Sequence, residues 1–154
     1  MTTRLFVNLP VGDLQKSIEF FTKLRFTFNP QFTDATATCM VVSDEISVML
    51  LTHEKFKQFT PKAICDATKA SEVLLCLALD SREAVDQMIR NALAAGGTTY
   101  NEPQDHGFMY GHGFQDLDGH IWELIHLRSM PGYETCGSVG LASSNEHRSI
   151  RLHD

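Results

Sequence analysis

The residue best placed to do chemistry is Glu123, which interrupts an otherwise apolar run, Ile121-Trp-Glu-Leu-Ile125. Side chains alternate between the two faces of a β-strand, so Ile121, Glu123 and Ile125 share one face. If this face lines a cleft, the carboxylate is partly removed from water and serves as a polar anchor or as a general base. If the face meets solvent, Glu123 is an ordinary residue at the rim. We take the cleft as the working hypothesis.

A second candidate is the aromatic and glycine-rich stretch Phe108-Met-Tyr-Gly-His-Gly-Phe114. Alternation places both phenylalanines, Tyr110 and His112 on one face of a strand and the two glycines on the other. An aromatic face with one imidazole and one hydroxyl suits a mostly apolar binding pocket, although the same face could fill a core. Because histidine titrates near neutral pH, His112 beside Glu123 would form an acid–base pair.

The other histidines and the cysteines form no compact ligand pattern. His106, His120 and His126 match no metal-binding spacing with His112, and the first two fall in predicted turns where contact with solvent is expected. No pair of cysteines has the C-x-x-C spacing. A chain of this kind predicts reduced thiols in the cytoplasm rather than a disulfide framework, and this applies to Cys39, Cys65, Cys76 and Cys136.

The elements that must position these residues occur in the same order twice. Residues 5–52 predict a strand, a helix and three further strands, and residues 73–127 predict the same series. Asp13 and Ser81 are the expected N-caps of the two helices, and they lie 68 residues apart, as do Phe6 and Leu74 in the two first strands. Strands joined by short turns favour curved sheets with the helices outside.

Residues 1–128 are predicted to form one domain, with module 1 at about 4–54, a linker at about 55–71 and module 2 at about 72–128. Residues 129–154 show no sustained apolar period and are expected to form a tail that is flexible or packs on a partner.

Four local expectations follow from propensity alone. They are a first strand that ends at Pro10, a strand over Phe26–Phe32, a strand over Val73–Leu79 that is buried on both faces, and a strand over Thr98–Asn101.

Charge and hydropathy exclude two kinds of partner. The chain of 154 residues has 13 Lys and Arg against 19 Asp and Glu, a net charge of −6, and a pI of about 5.6. This acidic balance argues against a nucleic-acid partner, because phosphate binding needs a basic face. No apolar run approaches the roughly 18–20 residues that cross a bilayer, and the N-terminus lacks the apolar region of a signal peptide. The expected location is the cytoplasm, without a membrane partner.

Two stretches carry a family resemblance: Phe6-Val-Asn-Leu-Pro-Val-Gly-Asp-Leu14 with Ser17-Ile-Glu-Phe-Phe21, and Asp116-Leu-Asp-Gly-His-Ile-Trp-Glu-Leu124. The first resembles the opening strand and helix of the vicinal oxygen chelate (VOC) superfamily, and the second resembles its closing turn and last strand. This superfamily includes glyoxalase I, extradiol dioxygenases and bleomycin-resistance proteins. The resemblance covers residues 4–127. It implies an α+β fold of tandem βαβββ modules that form a U-shaped mixed sheet around a cleft.

The resemblance also implies where a metal would bind. Metal-using members take ligands from the first and last strands of each module, and the corresponding positions here are Phe6, Leu50, Leu74 and Glu123. Only Glu123 can ligate a metal, and Asn8, on the face of Phe6, offers no more than a carbonyl oxygen. A divalent site needs about three protein ligands. No cofactor is therefore expected, and a divalent metal stays the alternative.

These observations predict a glyoxalase/bleomycin-resistance-like protein with a degenerate metal site, which binds a small, partly apolar metabolite or toxin. Glu123 and His112 are the candidate catalytic residues. The cleft is expected to be lined by Phe6, Asn8, Leu50, Leu74, Phe108, Tyr110, His112 and Trp122. The alternatives are a metal-dependent lyase of the lactoylglutathione lyase type, an extradiol dioxygenase, or a metal-free isomerase that uses Glu123 and His112. The family resemblance further implies a homodimer.

Overall fold

Residues 2–128, which a computed structural model of the chain describes, fold into two four-stranded sheets that each carry one long helix. In each sheet the first and last strands of the module pair in parallel, and the other pairs are antiparallel. This arrangement confirms the predicted α+β class and the tandem βαβββ order. The predicted tail, residues 129–154, lies outside the described residues.

The two modules repeat one strand order. The first contains β1 (Leu5–Val11), α1 (Leu14–Lys23), β2 (Thr27–Asn29), a 3-10 turn (Pro30–Phe32), β3 (Ala37–Val41) and β4 (Ile46–Thr52), and α2 (His53–Lys57) follows in the linker. The second contains β5 (Leu75–Ala78), α3 (Arg82–Ala94), β6 (Gln104–Asp105), β7 (Met109–Gln115) and β8 (Ile121–Leu127). The orders across the sheets are β1-β4-β3-β2 and β5-β8-β7-β6, so β1 and β5 are edge strands.

Both long helices begin at the predicted caps. The Asp13 carboxylate accepts a hydrogen bond from the backbone amide of Lys16 at 3.0 Å, and the Ser81 hydroxyl accepts one from the amide of Ala84 at 3.0 Å. Each bond satisfies one of the backbone amides that the first turn of a helix leaves without an intrahelical partner. The caps therefore fix where each helix leaves its first strand.

One apolar core serves both modules. Phe20 and Phe21 of α1 reach the second sheet, where the ring centroids of Phe20 and Phe114 are 6.1 Å apart and those of Phe21 and Trp122 are 5.2 Å apart. Val85 of α3 joins the same cluster from the other helix. Because this core occupies the helix side of the sheets, the opposite sheet faces are left for a binding site.

Propensity alone gave wrong ends for two of the four strands expected in the first module. Strand β1 continues through Pro10 to Val11, which an edge strand tolerates because the missing amide hydrogen faces away from its partner strand. The strand expected over Phe26–Phe32 is only β2, and a 3-10 turn that begins at Pro30 follows it.

Two expectations in the second module also need correction. The strand expected over Val73–Leu79 is the shorter β5, and its flank is not buried on both faces, because Val73 and Leu74 are 55% and 54% exposed beside an edge strand. Thr98–Asn101 is not a strand. Thr98 alone forms an isolated bridge with Gln115, and the short β6 follows at Gln104–Asp105.

Candidate functional site

Glu123 lies on the face of the second sheet that turns away from the core. Its register partners are Cys76 on β5 and Gly113 on β7, whereas its neighbours Trp122 and Leu124 are both 0% exposed in the core. The Glu123 side chain is half-buried and forms no hydrogen bond with another of the described residues. Partial burial raises the pKa of the Cys76 thiol, and the negative charge of Glu123 raises it further.

The loop between α3 and β6 carries Tyr100 over this same face. The loop pairs with β7 on both sides of Tyr100, at Thr98 and at Gln104, so it follows the edge of that strand. A Cβ atom on Gly113 would lie 2.7 Å from Cζ of Tyr100 and would overlap the hydroxyl as well. The missing side chain at Gly113 is therefore what allows Tyr100 to lie above the sheet beside Glu123.

The Tyr100 hydroxyl is available to a ligand. Desolvation raises the pKa of Tyr100, and the negative charge of Glu123 raises it further, so the hydroxyl keeps its proton at neutral pH. The residue is 40% exposed, and its hydroxyl has no hydrogen-bond partner within residues 2–128. A donor and an acceptor, both unpaired among these residues, thus lie on one face of the sheet.

The structure does not pair the side chains of His112 and Glu123, although both residues line one small cavity. His112 is in register with Leu124 and points to the opposite face of the sheet from Gly113 and Glu123. Its Nε2 lies 2.9 Å from the carbonyl oxygen of Asn101 and must donate, because a carbonyl only accepts. His112 therefore holds the loop next to Tyr100, and the acid–base pair proposed from the sequence is not formed.

Two cavities follow one another along the same face of β8. The smaller has a volume of about 110 Å³, and its lining includes Tyr100, Gly113, Glu123 and Ile125. The larger has a volume of about 410 Å³ and lies between residues 7–10 of β1, parts of the linker over residues 56–73, and residues 119–121. Ile121 and Glu123 are two residues apart on one strand face, a separation of about 7 Å. Residues two apart on β8 thus line the two cavities, Ile121 the larger and Glu123 the smaller.

The predicted lining residues are divided between these cavities and the core. Asn8 lines the larger cavity, and Glu123 and His112 line the smaller one. Leu50 and Trp122 are 0% exposed and Tyr110 is 3% exposed, so these three are core residues and not cleft residues.

The register of the strands explains these three corrections. On β4, Leu50 pairs with the core residue Leu9, so Met49 and Leu51 occupy the other face. On β7, the Tyr110 hydroxyl donates to Asp86 of α3 at 2.5 Å and is thereby held on the helix side. The remaining predicted residues line neither of the two cavities and are about half exposed: Phe6 50%, Leu74 54% and Phe108 50%.

The turn before β8 is organised by the buried carboxylate of Asp116. Its Oδ1 accepts hydrogen bonds from the backbone amides of Asp118 and His120, each at 3.0 Å, and its Oδ2 accepts one from the indole Nε1 of Trp122 at 3.0 Å. Burial raises the pKa of Asp116, while the positive charge of His120 and the indole hydrogen bond act against that rise. Gly119, at a φ of +88°, closes the turn in a conformation that glycine adopts without strain.

The same turn connects the second sheet to the first module. Asp118 Oδ1 accepts a hydrogen bond from the backbone amide of Gly12 at 2.7 Å, and His120 Nε2 donates to the carbonyl oxygen of Pro10 at 2.7 Å. His120 is therefore a half-buried connecting residue and not the solvated turn residue expected from the sequence. The D-x-D-G-H motif serves the fold directly, because it sets the turn and also binds the end of β1.

Asp116, Asp118 and His120 could also hold a cation, since their ligand atoms all lie within 4.8 Å of one another. Two carboxylates and an imidazole are a donor set that divalent metals accept. Each of the three side chains already makes the hydrogen bonds described above. The structure of the turn therefore accounts for this cluster without an ion.

Comparisons with known proteins identify the family. The sequence profile of the Glyoxalase/Bleomycin resistance protein/Dioxygenase superfamily matches residues 4–124. The chain belongs to this superfamily. A hypothetical protein of S. aureus is 30% identical in sequence, with a TM-score of 0.69 over 82% of this chain and 95% of that chain. The VOC resemblance noted in the sequence is thereby confirmed.

Two more distant structures share the fold. A glyoxalase/bleomycin resistance protein/dioxygenase family enzyme from Burkholderia phytofirmans is 18% identical, with a TM-score of 0.68 over 82% of this chain and 100% of that chain. A glyoxalase-related enzyme from Fulvimarina pelagi is 17% identical, with a TM-score of 0.69 over 82% of this chain and 88% of that chain. No protein of curated function matches the chain. Among the described residues, no helix is long and apolar enough to span a membrane.

Members of this superfamily often use a divalent metal, and metal-using members take its ligands from the first and last strands of each module. In this chain those strands are β1, β4, β5 and β8. On the non-core face of β8 and β5 the residues able to ligate are Glu123 and Cys76, which are register neighbours. On the same face of β1 and β4, Phe6 cannot ligate, Met49 offers only a soft thioether, and Asn8 offers an amide oxygen. Two good ligands fall short of the about three that a divalent site needs. The residues at these positions do not fit a metal.

Sequence reasoning missed Tyr100 and gave Cys76 no part in the site. Tyr100 lies in a segment that was expected to be a strand. In the structure this segment is a loop that follows the edge of β7, because Thr98 and Gln104 on either side of Tyr100 both pair with that strand. The glycine at position 113 was the available signal, because a glycine inside a strand marks the close approach of another group. Cys76 could have been placed beside Glu123 only by knowing the parallel register of β5 and β8.

Proposed function

We propose that the protein binds a small, partly apolar compound along the non-core face of β8, with Glu123 as the polar anchor, and does not require a metal to do so. The observation that carries the proposal is that Glu123, unpaired among the described residues, lines the smaller cavity on a half-buried strand face, two residues along β8 from Ile121 of the larger cavity. The apolar part of the ligand lies in the larger cavity against Ile121. Its polar end reaches the carboxylate.

The sizes of the cavities support this division. Pockets that hold whole ligands have volumes of about 300–1,000 Å³, so only the cavity of about 410 Å³ can hold the body of a ligand. A closed cavity of about 150 Å³ holds one benzene ring, so the cavity of about 110 Å³ takes a functional group and little more. Apolar residues such as Phe56 and Ile121 in the larger cavity suit an aromatic or aliphatic body.

The enzymatic alternatives receive less support from the same geometry. A metal-dependent lyase or an extradiol dioxygenase needs a ligand set that the family positions do not supply. An isomerase that uses Glu123 with His112 needs the two side chains on one face, and the register places them on opposite faces. Binding without chemistry needs only the cavities and the anchor, which are both present.

The test is an NMR titration of the full chain with two aromatic probes of similar size, 2-naphthol and 2-naphthoate. The neutral probe should bind and shift the backbone resonances of Ile121, Glu123 and Asn8, because its hydroxyl can donate to the carboxylate. The anionic probe should bind at least about tenfold more weakly, because a hydrogen bond to a charged group is worth about 1.5–3 kcal/mol and two carboxylates repel each other. The Glu123→Gln variant should lose this preference.

Two results would contradict the proposal. One is the absence of saturable binding of 2-naphthol to the wild-type chain. The other is binding that shifts only residues far from β8. A matched control is Glu45→Gln, which removes an exposed carboxylate from the turn before β4 and should leave both affinities unchanged.

We also propose that two copies of the chain associate through the edge strands, as members of the superfamily often form oligomers. Apolar residues of and beside β1 and β5 are exposed, including Leu5 at 56%, Phe6 at 50%, Val73 at 55% and Leu74 at 54%. Exposed apolar residues that adjoin one another, as Leu5 and Phe6 do and as Val73 and Leu74 do, suit an interface. Light scattering should give the mass of a dimer, and Phe6→Lys should shift it to that of a monomer. A monomeric wild-type chain at tens of micromolar would contradict this proposal.

A further inference from the structure

The polar side chains that line the smaller cavity include those of Glu123 and Tyr100, neither of which is hydrogen-bonded within residues 2–128. Glu123 presents a carboxylate, which only accepts hydrogen bonds when ionised, and Tyr100 presents a hydroxyl, which can donate. Neither side chain has a hydrogen-bond partner among these residues. Such a polar atom is partly removed from water and has no protein partner, so a ligand that reaches it can form a favourable hydrogen bond with it.

The position of Tyr100 is specified by several independent features. Pairing of Thr98 and Gln104 with β7 sets the path of the loop, and the bond from His112 to the carbonyl oxygen of Asn101, at 2.9 Å, fixes the residue next to Tyr100. Gly113 leaves the space that the tyrosine ring occupies. These features together hold the Tyr100 side chain on the face of the sheet that carries Glu123.

We propose that Tyr100 and Glu123 form a donor–acceptor pair that recognises the hydroxyl group of an uncharged, hydroxyl-bearing aromatic compound. The ligand hydroxyl donates its proton to the Glu123 carboxylate and accepts a hydrogen bond from the Tyr100 hydroxyl. The inference rests on the proposed function, since it assigns the polar end of the same ligand. It adds Tyr100 as a binding residue and names the functional group that the pair recognises.

Charge and size restrict the ligand further. A carboxylate ligand would be repelled by the charge of Glu123, which lines the same cavity as Tyr100. A protonated amine would be attracted by Glu123, but it could not accept a hydrogen bond from the Tyr100 hydroxyl, because it has no lone pair. A hydroxyl uses both groups, and it fits a volume of about 110 Å³.

The experiment compares 2-naphthol with naphthalene, which lacks the hydroxyl, on the full chain and on Tyr100→Phe. The loss of one neutral hydrogen bond should weaken 2-naphthol binding about three- to tenfold and leave naphthalene binding unchanged. Gly113→Ala, which displaces the tyrosine ring, should weaken 2-naphthol binding by a similar factor. The matched control is Tyr110→Phe, which removes a hydroxyl that is directed to Asp86 of α3 and should leave the affinity for 2-naphthol unchanged.

The outcomes separate this inference from the proposed function. If the wild-type chain does not bind 2-naphthol, both are overturned. If the wild-type chain binds 2-naphthol and Tyr100→Phe binds it equally well, the donor–acceptor pair is overturned and the proposed function stands. If Tyr100→Phe weakens naphthalene as much as 2-naphthol, the ring of Tyr100 acts by packing alone, and the assignment of its hydroxyl is overturned.

Discussion

Replacing the buried carboxylate of Asp116 by an amide should destabilise the fold although the two side chains have nearly the same shape. Both carboxylate oxygens are used, Oδ1 by two backbone amides and Oδ2 by the indole of Trp122. Asn supplies one oxygen and one NH₂ group. In either orientation of the amide, at least one buried N–H donor faces another donor.

The expected loss follows from the bonds that are broken. A buried donor without an acceptor costs about 1–3 kcal/mol, and the bonds lost here are to a charged group. Taking about 2 kcal/mol, and about 2–4 °C per kcal/mol for a chain of this size, Asp116→Asn should lower Tm by about 4–8 °C. Trp122 is the only tryptophan of the chain, so its fluorescence reports the site directly during thermal unfolding.

A double-mutant cycle tests the reason as well as the size of this effect. Trp122→Phe removes the indole donor, so Asp116→Asn should cost less in that background by at least about 0.5 kcal/mol. Unfolding of all four proteins in the cycle is followed by circular dichroism, because Trp122→Phe also removes the only tryptophan. Asp44→Asn is the matched control, because Asp44 is exposed and its side chain bonds to no described residue. An Asp116→Asn variant with the wild-type Tm and an unchanged tryptophan spectrum would refute the reasoning, and so would strict additivity in the cycle.

Two further predictions test the surroundings of the site. The charge of Glu123 contributes to the raised pKa of the Cys76 thiol, so Glu123→Gln should lower that pKa and speed the alkylation of Cys76 by iodoacetamide at mildly alkaline pH. Mass spectrometry measures the rate, and the exposed Cys65 serves as the internal reference. An unchanged rate would mean that Glu123 and Cys76 do not interact. Gly97→Ala should lower the free energy of unfolding by about 1–3 kcal/mol, because the new Cβ would lie 2.7 Å from the backbone oxygen of Gln115. Denaturant unfolding should show a larger loss of stability than for Gly113→Ala, where the Cβ would meet only the side chain of Tyr100, which can move.

Features that depend on local sequence were predictable. The helix caps at Asp13 and Ser81 are local hydrogen bonds, and both form as expected. The shared face of Ile121, Glu123 and Ile125 follows from strand alternation, which needs no knowledge of neighbouring strands. The D-x-D-G-H motif was a useful signal for the fold because its hydrogen bonds form the turn before β8 and connect it to the first module.

Features that depend on register between strands were not predictable. An error of one residue in register moves a side chain to the other face of a sheet, which explains why Leu50 is in the core and not in the cleft. His112 and Glu123 were each placed on a strand face correctly, but which faces coincide is decided by the pairing of β7 with β8. Tyr100 depends on a loop that crosses the edge of a strand, and single-sequence patterns carry no information on that path.

The measurement that most directly tests binding without a metal is elemental analysis of the purified full chain and of Glu123→Gln. The proposal predicts no stoichiometric nickel, zinc or iron in either protein, together with binding of 2-naphthol that is unaffected by a chelator. Stoichiometric metal in the wild-type chain that is lost in Glu123→Gln would contradict the proposal and would favour a metal-dependent enzyme of the superfamily.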